Sequence, residues 1–136
     1  MVGKQEHSRE FFGGRARLVA CAGHADERGI LTPFAFDQLP FVPCRAFTVS
    51  GTPAGGVRGG HGHRAGMQLL VCLHGRVEVL MRHQGEEAAL TLESAAHGLL
   101  VGANVWCQQR YVTAGSVLLV FASAPYDPAS YIREPA

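Results

Sequence analysis

The sequence predicts an all-β protein, a double-sheet jelly roll built as one domain. Three observations carry that expectation. Short apolar runs recur at even spacing through the second half of the chain, glycine turns separate them, and no long stretch shows a helical period. At 136 residues the chain is long enough for one domain with a real core and too short for two ordinary ones.

Residues 1–17 mix charge, glycine and the pair Phe11-Phe12 without a clear period, and read as a flexible N-terminal arm ahead of a domain spanning 18–136. Leu18-Val19-Ala20-Cys21 is the first candidate strand. Asp26-Glu27-Arg28-Gly29 is turn chemistry and leads into a strand starting at Gly29. Leu39-Pro40-Phe41-Val42-Pro43 carries two prolines that cannot donate to a central ladder, so it belongs in a loop or at an edge. Arg45 to Ser50 alternates, with Phe47 and Val49 on one side and Thr48 and Ser50 on the other. The glycine-rich stretch 51–60 reads as a loop feeding a strand that holds His61 and His63.

Strands are then expected over 68–73, 76–81, 88–92, 99–101, 107–113 and 116–122. The turns between them fall at His74-Gly75, Gln84-Gly85, His97-Gly98, Gly102-Ala103-Asn104 and Ala114-Gly115. In the tail, Asp127 caps a single helical turn with Pro128 at its first position. Tyr126, Asp127 and Tyr131 are expected to build that corner, and His24, His74, His83 and His97, at or near glycine turns, to face solvent.

The charge balance is nearly neutral, +1 with 17% charged residues and no basic block, which argues against a nucleic-acid groove or a membrane-binding patch. The first ten residues have charges where a secretion signal needs an apolar stretch, and no apolar run reaches the length of a membrane span, so the cytoplasm is the expected location. Cys21, Cys44, Cys72 and Cys107 form no C-x-x-C pair and read as buried free thiols. What remains as a partner is a small molecule or a second copy of the chain.

The candidate chemistry lies in Arg58-Gly59-Gly60-His61-Gly62-His63-Arg64. On a strand, residues two apart point the same way, so the imidazoles of His61 and His63 project side by side. Paired imidazoles suit proton transfer near neutral pH, and an arginine upstream suits a phosphate, to which its planar fork donates two parallel bonds. With Gln68 and then Gly75, the spacing is that of the first cupin motif, in which such positions often bind a metal.

Further residues extend the pattern: Asp26-x-Arg28-Gly29-x-Leu31, Leu39-Pro40-Phe41, Arg45-x-Phe47, Arg58-Gly59-x-His61-x-His63, Gln68, Cys72, Trp106, Leu118-Leu119-Val120, Ala122-Ser123 and Tyr126-Asp127-x-x-x-Tyr131-Ile132-Arg133. In order and spacing this resembles the sugar nucleotide 3,4-ketoisomerases, cupin-type enzymes of deoxysugar biosynthesis that move the keto group of a thymidine-diphosphate 4-keto-6-deoxy sugar from C4 to C3. The resemblance implies a jelly-roll homodimer and a nucleotide-sugar substrate. It implies no cofactor, a catalytic pair His61 and His63, and substrate-binding Arg58, Arg45, Gln68 and Trp106.

The chain departs from the pattern at Gly62 (usually Ala), Arg64 (usually Lys), Cys44 (commonly Lys) and Cys107 (usually His). Gly102-Ala103-Asn104 replaces prolines, and a tyrosine that normally follows the Arg45 segment is absent. Two alternatives stay open on the residues alone. One is a non-catalytic nucleotide-sugar-binding cupin; the other is a metal-dependent cupin enzyme using His61, His63, Gln68 and Cys107.

Overall fold

In the computed structural model, which describes residues 9–135, the chain forms β1 (Glu10–Phe11), β2 (Ala16–Ala20), β3 (His24–Asp26), β4 (Gly29–Leu31), β5 (Arg45–Val49), β6 (Gly56–His63), β7 (Gln68–His74), β8 (Val77–His83), β9 (Glu86–Leu92), β10 (His97–Val101), β11 (Trp106–Tyr111), β12 (Val117–Ala122) and β13 (Tyr131–Ile132). One six-stranded sheet runs β1-β2-β10-β7-β12-β5, a five-stranded sheet runs β13-β6-β11-β8-β9, and β3 and β4 make a separate hairpin. The pairings are antiparallel, and the two sheets face each other as the expected jelly roll. Among the described residues, no helix is long and apolar enough to cross a membrane.

The central strands of the six-stranded sheet, β7, β10 and β12, are buried on both faces, which explains why Leu69 to Cys72 is apolar without alternation. Leu70, Cys72, Leu99, Val101, Leu118 and Val120 point inward and meet Val77, Val79, Met81 and Leu92 of the other sheet. Leu69, Val71, Leu100 and Phe121 point outward and are covered by Phe34, Leu39 and Phe41 from the proline-punctuated loop. The Phe34 ring lies 5.2 Å from that of Phe121. Each such leucine or phenylalanine contributes about 1.5–3 kcal/mol when fully buried.

Several expectations change. The boundary at 17/18 falls inside β2: Ala16 is fully buried and Phe11 and Phe12 pack against the core, while residues 1–8 lie outside the described residues. The stretch 51–60 is strand from Gly56 onward, because glycines at positive φ let it pair with β11 through a bulge. His83 does not face solvent; it is buried beside Phe12, and its Nδ1 lies 2.9 Å from the Asn104 carbonyl oxygen. Elsewhere, Asp26 closes the β3–β4 turn by accepting from the Arg28 backbone N–H at 2.8 Å. Asp127 caps its turn by accepting from Ala129 N–H, with Pro128 at the first position. All four cysteines are free, Cys44 at the surface rather than buried.

Candidate active site

The site is shaped by the Gly59-Gly60 bulge in β6. His61 pairs with Cys107, Gly59 with Gln108 and Arg58 with Gln109, so Gly60 is the extra residue. Without it, Arg58 and His61, three apart, would point to opposite faces. With it, they stand opposite Cys107 and Gln109, which share a face, and both turn inward. Both glycines have φ near +80°, a conformation other residues adopt only with strain. His63 lies two residues on and shares the face of His61.

The tail completes the cluster. Tyr131 pairs with His63 across β13 and β6, and its ring stacks on His61 at 4.2 Å with planes 5° apart. The same ring meets His63 edge-on at 4.8 Å, and the two imidazoles are 5.3 Å apart. Arg64 secures this arrangement by donating to the Tyr131 carbonyl at 2.9 Å and the Ala129 carbonyl at 3.3 Å. Arg133 lies over the Tyr131 ring, and its carbonyl accepts from the Trp106 indole N–H.

Arg45, Arg58, His61, Gln68, Cys107 and Tyr131 line a cleft of about 240 Å³ whose walls include no carboxylate. An adjoining recess of about 30 Å³ brings His63 together with His61, Arg45, Gln68 and Cys107. Arg45 donates to the Ala124 carbonyl and packs between the Phe47 and Tyr126 rings. Neither Arg45 nor Arg58 has a carboxylate within salt-bridge distance among the described residues. The cleft therefore favours an anion.

Trp106 is the one expected substrate contact the fold does not bring here. It faces away from Cys107 and Gln109 on the opposite side of β11, under Arg82. Three tyrosines join the site without having been foreseen as part of it, Tyr126 among them beside Arg45. Tyr131 arrives from the capped turn, and Tyr111 lines the cleft fully buried, its hydroxyl without a hydrogen-bond partner. Leaving a buried hydroxyl unpaired costs about 1–3 kcal/mol.

Burial holds both imidazoles below their ordinary value of 6.5. For His61, a hydrogen bond to the Gly59 carbonyl partly offsets burial and the Arg133 charge adds to it; for His63, the charges of His61 and Arg45 add to burial. Both are thus neutral at pH 7 and able to accept a proton. On acidification the unfolded chain takes up these protons first, so thermal stability is expected to hold above about pH 7 and to fall as pH drops through 6.5. Melting curves from pH 5 to 8 check this; for a protein with both histidines replaced by asparagine the fall should be shallower.

The four positions considered for a metal share the recess, but the donors do not suit one. Burial pushes the Cys107 thiol up to about 12, so it is protonated at neutral pH. Its Sγ accepts instead from Gln109 Nε2 at 3.2 Å. Among the described residues, no three His, Cys, Asp or Glu side chains are placed to hold an ion.

A double-sheet jelly roll with paired histidines turned into its barrel defines a cupin-type protein. More narrowly, residues 15–136 match the family described as "FdtA: WxcM-like, C-terminal", and the chain belongs to that family. It is 34% identical over 110 residues, 80% of this chain and 79% of the relative, to a TDP-4-oxo-6-deoxy-alpha-D-glucose-3,4-oxoisomerase of Aneurinibacillus thermoaerophilus. Among solved structures it is similar to QdtA, a sugar 3,4-ketoisomerase from Thermoanaerobacterium thermosaccharolyticum in complex with TDP, with 34% identity, 88% of each chain covered and a TM-score of 0.84. A 3,4-ketoisomerase from Helicobacter canadensis gives 28% identity, 88% and 90% coverage and a TM-score of 0.82.

Proposed function

We propose that the protein is a sugar nucleotide 3,4-ketoisomerase acting on a thymidine-diphosphate 4-keto-6-deoxy sugar, with His61 and His63 as its acid-base pair. The observation that carries this reading is a neutral imidazole pair, His61 in a cleft that holds Arg45 and Arg58 and no carboxylate, and His63 in the adjoining recess. The substrate class follows from the relatives' activities.

The reaction removes the C3 proton, passes through an enediolate and returns a proton to C4, while one hydroxyl proton moves from the C3 oxygen to the C4 oxygen. Atoms and electrons balance without a co-reactant. His61 fronts the larger cleft, and one of its ring nitrogens is engaged by the Gly59 carbonyl. That bond orients the ring and leaves the other nitrogen to work as the base at carbon. His63 stands in the adjoining recess with a buried, unpartnered Nε2, suited to moving the oxygen-bound protons. Arg45 and Arg58 hold the diphosphate and stabilise the enediolate charge, and Gln68 lines the same wall.

Incubating the protein with thymidine-diphosphate 4-keto-6-deoxyglucose and identifying the sugar formed tests the reading. A 3-keto product is expected; bound but unaltered substrate would leave a nucleotide-sugar-binding protein instead. We also infer a homodimer, because Ile30 and Leu31 of the β3–β4 hairpin are 75% and 67% exposed, with Phe36 and Val42 also exposed. Light scattering is expected to give twice the chain mass; a monomer at micromolar concentration would contradict it.

A further inference from the structure

The cleft continues past His61 along the inward row of β11. Cys107 stands opposite His61, Gln109 opposite Arg58 and Tyr111 opposite Gly56. Four residues of strand, about 13 Å, separate the reacting end from the backbone of Tyr111. With the reacting carbons of the sugar at His61, the segment between Arg58 and Tyr111 is where the diphosphate falls.

Tyr111 is fully buried with its ring in the core, yet it lines this part of the cleft, and its hydroxyl has no hydrogen-bond partner. Buried phenols normally have one. The neighbouring Gln109 amide is engaged by the Cys107 sulfur. Burial pushes the Tyr111 hydroxyl up to about 12, against a smaller opposite pull from the Arg58 charge, so at neutral pH it is a protonated donor beside a guanidinium.

We propose that Tyr111 is a substrate-binding residue whose hydroxyl donates to a diphosphate oxygen that Arg58 also holds. The assignment rests on the ketoisomerase reading and deepens it. It gives the site a tyrosine from β11, where the resembling enzymes carry one after the Arg45 segment.

Tyr111→Phe tests it, since phenylalanine keeps the ring and removes only the hydroxyl. Calorimetric titration with thymidine diphosphate is expected to show binding about tenfold weaker than wild type. The KM for the 4-keto sugar should rise by a similar factor while kcat changes by less than about threefold. Without ligand, the variant should melt no lower than wild type, because an unpaired buried hydroxyl has been removed. A variant that binds thymidine diphosphate like wild type overturns the contact and leaves the ketoisomerase reading standing. Wild-type protein that neither binds thymidine diphosphate nor turns over overturns both.

Discussion

Replacing His61 by asparagine is expected to lower kcat by about 100- to 10,000-fold, the usual share of a general base, with thymidine diphosphate still bound at close to wild-type affinity. Asparagine can still donate to the Gly59 carbonyl and keeps the side chain's place beneath the Tyr131 ring. What it cannot do is accept a proton at neutral pH. Arg45 and Arg58, the proposed phosphate ligands, are untouched, so binding and chemistry should separate. His63→Asn should also lose turnover, with a smaller loss of proton exchange at C3, because the role proposed for His63 is at the oxygens. Steady-state rates with calorimetric binding check both variants, and wild-type turnover in His61→Asn would remove this residue from the mechanism.

Gly62→Ala should be the most damaging single-methyl change near the site, costing about 1–3 kcal/mol of stability with a large fall in activity. A Cβ at Gly62 would lie 2.5 Å from the Val105 carbonyl oxygen, 2.9 Å from its carbon and 3.2 Å from the Trp106 nitrogen. These are backbone atoms, so β6 or β11 must move, and Gly62 sits between the two histidines. Its φ lies outside the left-handed region, so space alone imposes the glycine, and the usual gain from replacing glycine by alanine is outweighed. Chemical denaturation of the variant and its kcat/KM check this; a variant as stable as wild type would mean that the strands separate freely.

Much of the jelly roll was legible because half-buried strands alternate and glycine marks their ends. The shared face of His61 and His63 was legible for the same reason. The bulge was not, because Gly59-Gly60 looks like loop until its register with Cys107 and Gln108 is known. Tyr131 and Tyr111 were missed because sheet order brings them in from afar: β13 lies beside β6, and β11 lies on its other side. Trp106 could have been placed better. If Cys107 faces inward, a neighbour one residue away on a strand faces out. His83 was misread as part of the Gln84-Gly85 turn; it ends the inward row Val77, Val79, Met81, His83 of β8, where its ring meets Phe12.

Proton NMR of the protein with thymidine-diphosphate 4-keto-6-deoxyglucose in deuterated water tests the central claim most directly. The account predicts loss of the C3 proton signal and appearance of a 3-keto product deuterated at C4, with both changes nearly absent in His61→Asn. Retention of the C3 proton by wild-type protein, with the nucleotide sugar bound, would contradict it.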